Sequence, residues 1–350
     1  MDNGKRKSFK LLRYFCLIFI ILFGALTIIS SGGGGGGDDD DDNDGGDNNN
    51  GGSNILESQI YNYGINLYDE NPLTFIVSVD ESDPVTISIT GMNMQGTYNT
   101  STQAFTMYGN IWCDTGEDGG IQIGVAEATP VKWTGTAYPT EGTFSISKTA
   151  ATLITVSINS SGGGVNITYG EDAPVFYTWQ DFLNISSESP VYRANAGYGI
   201  WEFTMKRVWY FYQTFNSILE NQDDLETAGS NNIGLTENCD QFPPTTGTSG
   251  TRQYKYIDTN PNGEVNPDDS FQVTFNTSSN GCWYNDLSND TDVLVKGIID
   301  MNILTGLEDV TGFESVIFTD FIETETTETY EATEDLITTN GGFSIFISVE

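Results

Sequence analysis

From Ile55 to about Tyr169 the chain alternates apolar and polar residues with period two. PLTFIVSV (72–79), PVTISITG (84–91), GTYNTSTQAFTMYG (96–109), IQIGVA (121–126), GTFSISKT (142–149), TLITVSIN (152–159) and GGVNITYG (163–170) are short and rich in β-branched or aromatic residues. Glycine, proline and asparagine turns separate them. Such runs predict antiparallel strands with one face on a core and one in water. The expected fold is mainly β: antiparallel sheets, sandwich or barrel-like, with one long amphipathic helix packed on a sheet.

The period changes after Pro174. YTWQDFLN (177–184) predicts a helical turn or two. Then Trp201, Met205, Val208, Tyr212, Phe215 and Leu219 recur at steps of three and four, with Trp209, Phe211 and Ile218 widening the stripe. That spacing predicts a helix from near Trp201 to Leu225, docked by a broad apolar face that no unusual polar group interrupts. Its first part, GIWEFTM, is equally compatible with a strand. Alternation returns in RQYKYID (252–258), SFQVTFN (270–276), LVKGIIDMNIL (294–304), SVIFTDFIE (315–323), TETYEAT (327–333) and GGFSIFISVE (341–350). Glu323, Glu325, Glu328 and Glu331 read as a solvent face.

Between the first two of these later strands lies the one constellation with a definite chemistry. Asp258, Asn260, Asn262, Asn266 and Asp269 place side-chain oxygens at positions one, three, five, nine and twelve of a loop, with Gly263 at position six. The backbone carbonyl of Glu264 would supply position seven. This is the spacing of an EF-hand-type calcium loop, and the expected cofactor is a structural Ca2+. Position twelve is Asp and not Glu, the flanks alternate as strands, and Pro267 bars a helix through the second half. The competing reading is a long Asx-turn hairpin.

Composition narrows the function. Against 13 basic residues stand 49 acidic ones, a formal charge of -36. Such a surface repels nucleic acid, so no nucleic-acid partner is expected. The chain has no histidine, which removes Ser-His-Asp arrangements and imidazole metal sites. Paired carboxylates of the glycosidase kind carry no information where acids are this abundant, so the chain is not expected to be an enzyme; a carboxylate-pair hydrolase is the alternative against it. Cys239 and Cys282 bracket the calcium-like loop and are the expected disulfide. Cys113 is then either buried and free or pairs with one of them.

Residues 1–31 read as a signal segment or N-terminal membrane anchor: Lys5, Arg6, Lys7, Lys10 and Arg13 precede an apolar run from Tyr14 to Ile29. Counting Leu11 and Leu12 brings that run within reach of a tilted transmembrane helix, with the rest of the chain facing outward. Residues 32–53 are a Gly/Asp/Asn-rich tether with no means of building a core. The body divides by pattern into a β-rich region (54–173), a helical region (174–232) and a β-rich region with the calcium-like loop (233–350).

The apolar N-terminus, the glycine and aspartate tether and the D-x-N-x-N-G run (Asp258, Asn260, Asn262, Gly263) with Asp269, Phe275 and Gly297 resemble a loosely characterised group of Gram-negative exported, lipoprotein-like proteins. Cys239 matches a cysteine that commonly precedes the first of these strands, and WTGTAYPTEGTFSIS (133–147) with YTWQDF (177–182) resembles the group's middle region. Asp268 stands where the group has glycine, and Cys282 arrives late after an SSNG insertion. Ser30-Ser31 stands where the group carries a cysteine, which favours an uncleaved anchor or secretion over lipidation. The likeness spans about residues 130–350 and implies location and architecture, since the group has no established activity.

The function expected is a non-catalytic exported cell-envelope or surface protein with a calcium-stabilised β ectodomain, either anchored through the N-terminal segment or secreted. The alternative is a carbohydrate- or ligand-binding adhesion module. An exposed tryptophan row drawn from Trp112, Trp133 or Trp179 would favour that alternative, with a surface ligand or glycan as partner.

Overall fold

The structure is a computed structural model that describes residues 60–78, 84–99, 102, 104–116, 120–133, 138–148, 152–159, 163–186, 189–239, 250–259, 266–275, 282–286, 291–305, 310–326 and 335–349. The strands begin with β1 (Ile60–Leu67), β2 (Thr74–Ser78), β3 (Val85–Asn99), β4 (Ala104–Asp114) and β5 (Gly120–Val125). Next come β6 (Val131–Trp133), β7 (Thr143–Lys148), β8 (Ile154–Asn159), β9 (Gly164–Tyr169) and β10 (Val175–Thr178). Three helices follow, α1 (Trp179–Leu183), α2 (Tyr192–Glu220) and α3 (Gln222–Ala228). The chain returns to strands with β11 (Ile233–Asn238), β12 (Thr251–Ile257), β13 (Ser270–Phe275), β14 (Cys282–Asp286), β15 (Thr291–Thr305), β16 (Val310–Thr326) and β17 (Asp335–Val349).

All of these strands belong to one antiparallel sheet. From one edge it runs β10–β9–β8–β7–β5–β4–β3. β1 and β2 then lie end to end between β3 and β17. The order continues β17–β16–β15–β13–β12–β11. Regions 54–173 and 233–350 thus interlock at β17, where strands from the start and the end of the chain share hydrogen bonds.

The sheet wraps around α2. Trp201 packs on Phe144 of β7 at 4.9 Å between ring centres, and Tyr210 packs on Phe275 of β13 at 6.4 Å. β7 and β13 are eight strand positions apart, about 38 Å in a flat sheet. The nine residues from Trp201 to Tyr210 rise only about 14 Å, so the sheet must curl. Between those points Phe203 meets Phe75 of β2, Tyr212 meets Tyr63 of β1, and Phe211 meets Phe313 of β16 and Phe343 of β17.

This enclosure explains where the expected helix differs from the observed one. α2 has 29 residues and begins at Tyr192, so GIWEFTM is helix. Nearly every described side chain along it is buried, as in a helix surrounded on all sides. Enclosure also means that polar residues interrupt the apolar surface, contrary to expectation: Glu202, Lys206 and Arg207 are all buried. Thr204 and Thr214 resolve their own burial locally, donating to the carbonyls of Ile200 and Tyr210 one turn back.

Outside α2 the local signals held, with additions. Thr178 caps α1, its hydroxyl accepting from the Asp181 amide and donating to the Asp181 carboxylate. IGLTEN is β11 and Cys282–Asp286 is β14, two strands the alternating runs above did not include. TETYEAT lies outside the described residues.

The transmembrane-helix expectation requires correction. Among the described residues no helix is long and apolar enough to cross a membrane. α2 has the length, but Glu202, Lys206 and Arg207 break its apolar character. The run from Tyr14 to Ile29, where the span was expected, lies outside the described residues.

Candidate functional site

The calcium-like sequence sits between β12 and β13. Its last position, Asp269, has no solvent exposure. Asp269 Oδ1 accepts from the Thr259 amide at 3.0 Å and the Thr259 hydroxyl at 3.1 Å. Oδ2 accepts from the Tyr256 hydroxyl at 2.7 Å and the Asn266 amide at 2.8 Å. Burial alone would raise this carboxyl, but the four donors outweigh it and hold it below the usual carboxylate range. The Tyr256 phenol is pushed up by burial and by the carboxylate it serves.

A carboxylate has about four lone-pair sites, and four donors occupy those of Asp269. In this arrangement Asp269 is a latch across the loop, joining Tyr256, Thr259 and Asn266. Asn260, Asn262 and Glu264 lie outside the described residues. Asp258 and Asn266 are partly exposed, and the Asp258 backbone is tied to Ser230, its amide donating to Oγ at 3.1 Å. Among the described residues no group of three or more Cys, Asp or Glu is arranged to hold a metal ion.

Asp268 adds a local reason for the motif. Its φ is 78°, the left-handed region that favours glycine. Gly297, also part of the resemblance, has φ 119°, and a Cβ there would collide with the Asp320 carbonyl and the Phe321 backbone.

Cys239 and Cys282 form the expected disulfide, with Cα atoms 5.4 Å apart. It joins the end of β11 to the start of β14 and closes the hairpin that carries the Asp269 latch. Cys113 is buried and free. Its thiol donates to the Ile121 carbonyl at 3.5 Å, and burial pushes it up to about 12.

A second polar cluster lies inside the sheet and was missed in the sequence. Arg207 pairs with Glu323 and donates from Nε to Thr339 Oγ1 at 2.7 Å. Tyr210 also donates to Glu323, at 3.0 Å. Glu323 is thus a buried partner of the helix and not part of a solvent face. Burial would raise its carboxyl, but Arg207, Lys206 and Tyr210 lower it overall. Glu202, one turn before Lys206, is held well above the usual range because burial outweighs Lys206 and Tyr198. The available signal was three charged residues inside an aromatic helix.

The three tryptophans from which an exposed row could have been drawn do not share a face. Trp179 is buried and stacks on Tyr138 at 4.6 Å. Trp133 is partly buried and lines a small apolar pocket with Phe105, Met107, Trp201 and Trp209. Only Trp112, 38 % exposed, points outward from the sheet. In comparisons with known proteins, no family model, no curated protein and no solved structure matches the chain.

Proposed function

We propose that this chain is an exported, non-catalytic β protein that serves as a structural or adhesive body at the cell surface. The observation that carries the reading is the Cys239–Cys282 disulfide closing a hairpin, since such crosslinks form and persist in oxidising, extracytoplasmic compartments. The positive and apolar residues at 5–29 supply the export signal this requires. The build of the body agrees with a structural role. Its sheet encloses a helix and fills its interior with packed aromatic rings, and its rigidity comes from the disulfide, the Asp269 latch and the Arg207–Glu323 pair.

Export is tested by thiol trapping in intact cells followed by a non-reducing peptide map of the full-length protein. The expected result is a Cys239–Cys282 linked peptide together with an unoxidised Cys113 peptide. A map with both hairpin cysteines reduced in freshly quenched cells would refute the reading.

A further inference from the structure

The outer face of the sheet across β3, β4 and β5 differs chemically from the rest of the molecule. On β3, Asn93 and Gln95 point outward; on β4, Tyr108, Asn110 and Trp112; on β5, Gln122. The register sets them side by side: Gln95 faces Tyr108, Asn93 faces Asn110, and Trp112 faces Gln122. They are also linked. The Tyr108 hydroxyl donates to Gln95 Oε1 at 2.9 Å, and Gln122 Nε2 donates to Asn110 Oδ1 at 3.2 Å. Beyond them the outward positions of β7, β8 and β9 continue in serine, threonine and asparagine. In a chain with a formal charge of -36, the amides and hydroxyls of this field carry no charge; Asp114, turned to the Gly116 amide, borders it at one end and the exposed Lys132–Glu141 pair, beside Thr106, at the other.

Trp112 is placed as a platform. Its neighbour across the ladder is Gly91, and a Cβ there would lie 3.0 Å from the indole Cε3. Glycine lets the indole lie on the adjacent strand and leaves part of the ring in solvent. A flat aromatic surface beside groups that both donate and accept hydrogen bonds matches a sugar ring, with its apolar C–H face and its rim of hydroxyls. A nucleic acid or anionic polymer would meet the acidic surroundings unfavourably.

We propose that this face binds a neutral glycan, with Trp112 stacking on a sugar ring and Asn93, Asn110 and Gln122 contacting its hydroxyls. The proposal rests on the adhesive reading above and gives it a ligand class. It is tested on the purified full-length chain by calorimetry with hexasaccharides of glucose, mannose, galactose and N-acetylglucosamine, with polygalacturonate as the anionic control. The expected result is saturable binding of at least one neutral hexasaccharide, weakened about tenfold or more by Trp112→Ala. Asn110→Ala with Gln122→Ala should weaken it too, with melting temperatures unchanged. If Trp112→Ala does not fold, Gln122→Lys serves as the second probe of the same face. No binding of any neutral hexasaccharide would overturn the proposal. So would binding indifferent to these substitutions, or equal, salt-sensitive binding of polygalacturonate. Failure of export would show in the thiol-trapping experiment and leave glycan binding by the purified chain intact, so the two readings fail separately.

Discussion

The two halves of the sheet grip the same helix by different means. From β3 to β9 the inner rows are apolar and the outer rows are mostly neutral amides and hydroxyls, with one exposed ion pair, Lys132–Glu141, at β6. In the half from β11 to β17 charged contacts recur. Arg252 pairs with Glu237 at 2.7 Å, and Lys255, Gln272 and Asp300 form a row across β12, β13 and β15, with Gln272 donating to Asp300 at 2.8 Å. Arg207 and Glu323 meet inside, and the disulfide and the Asp269 latch close the hairpins. The difference follows from strand geometry. β7, β8 and β9 are six residues each and join by local hairpins, so alternation alone sets their register. β15, β16 and β17 run 15 to 17 residues with several register shifts, where apolar alternation repeats and slips easily. Directional contacts cross those pairs: Asn302 donates to Ser315 at 2.7 Å and the Asp320 amide to Asn340 at 2.8 Å.

That contrast can be broken most strongly at the buried ion pair. Glu323→Gln leaves the Arg207 charge uncompensated inside the sheet and should cost about 3–5 kcal/mol in denaturant unfolding. An equal loss from neutral substitutions on the outer face of β8 would erase the distinction. Replacing both Cys239 and Cys282 by serine frees a loop with a separation of 43 residues. This should cost at most about 4 kcal/mol, read as a lower melting midpoint that reductant does not change further. Asp269→Asn removes charge from the latch and turns two acceptor sites into donors facing donors, at about 2–3 kcal/mol. In the same assay millimolar calcium should leave the melting midpoint of the parent protein unchanged. A large calcium-dependent rise that Asp269→Asn abolishes would overturn the latch assignment.

The pH response sharpens the comparison further. Asp269 and Glu323 have lowered carboxyls, so the stability they supply is present above the ordinary carboxylate range and lost as pH falls through their folded values. Glu202 has the opposite sign. Raised by burial, its carboxyl binds a proton more tightly in the folded chain than in the unfolded one, so its contribution declines as pH rises above the ordinary range. Melts from pH 5 to 9 should show Glu202→Gln gaining on the parent as pH rises. The smallest effect is at Asp268. Glycine relieves the left-handed backbone there and should stabilise the fold by up to about 1 kcal/mol.

Legibility followed the range of each interaction. Alternation in TLITVSIN and GGVNITYG identified β8 and β9, and Asp258 to Asp269 was visible as a special loop. The loop's chemistry was harder, because a spacing of oxygens does not say whether ions or amides will fill their lone pairs. In the structure Tyr256 and Thr259 point their donors at Asp269. Glu323 was misread as exposed because its partner is on the helix, and Tyr210, which also reaches it, is separated from it by 113 residues.

By itself the amino-acid sequence determined most of the strands, the existence of a long apolar helix, the disulfide pair and the acidity of the chain, since each follows from local periodicity, composition or bracketing. Tertiary structure decided that the helix is enclosed and not docked on one face, that β1 and β2 close on β17, and that Asp269 serves the backbone of its own loop. Those outcomes depend on which distant segments meet, and period-two alternation fits many pairings equally well until long-range packing selects one.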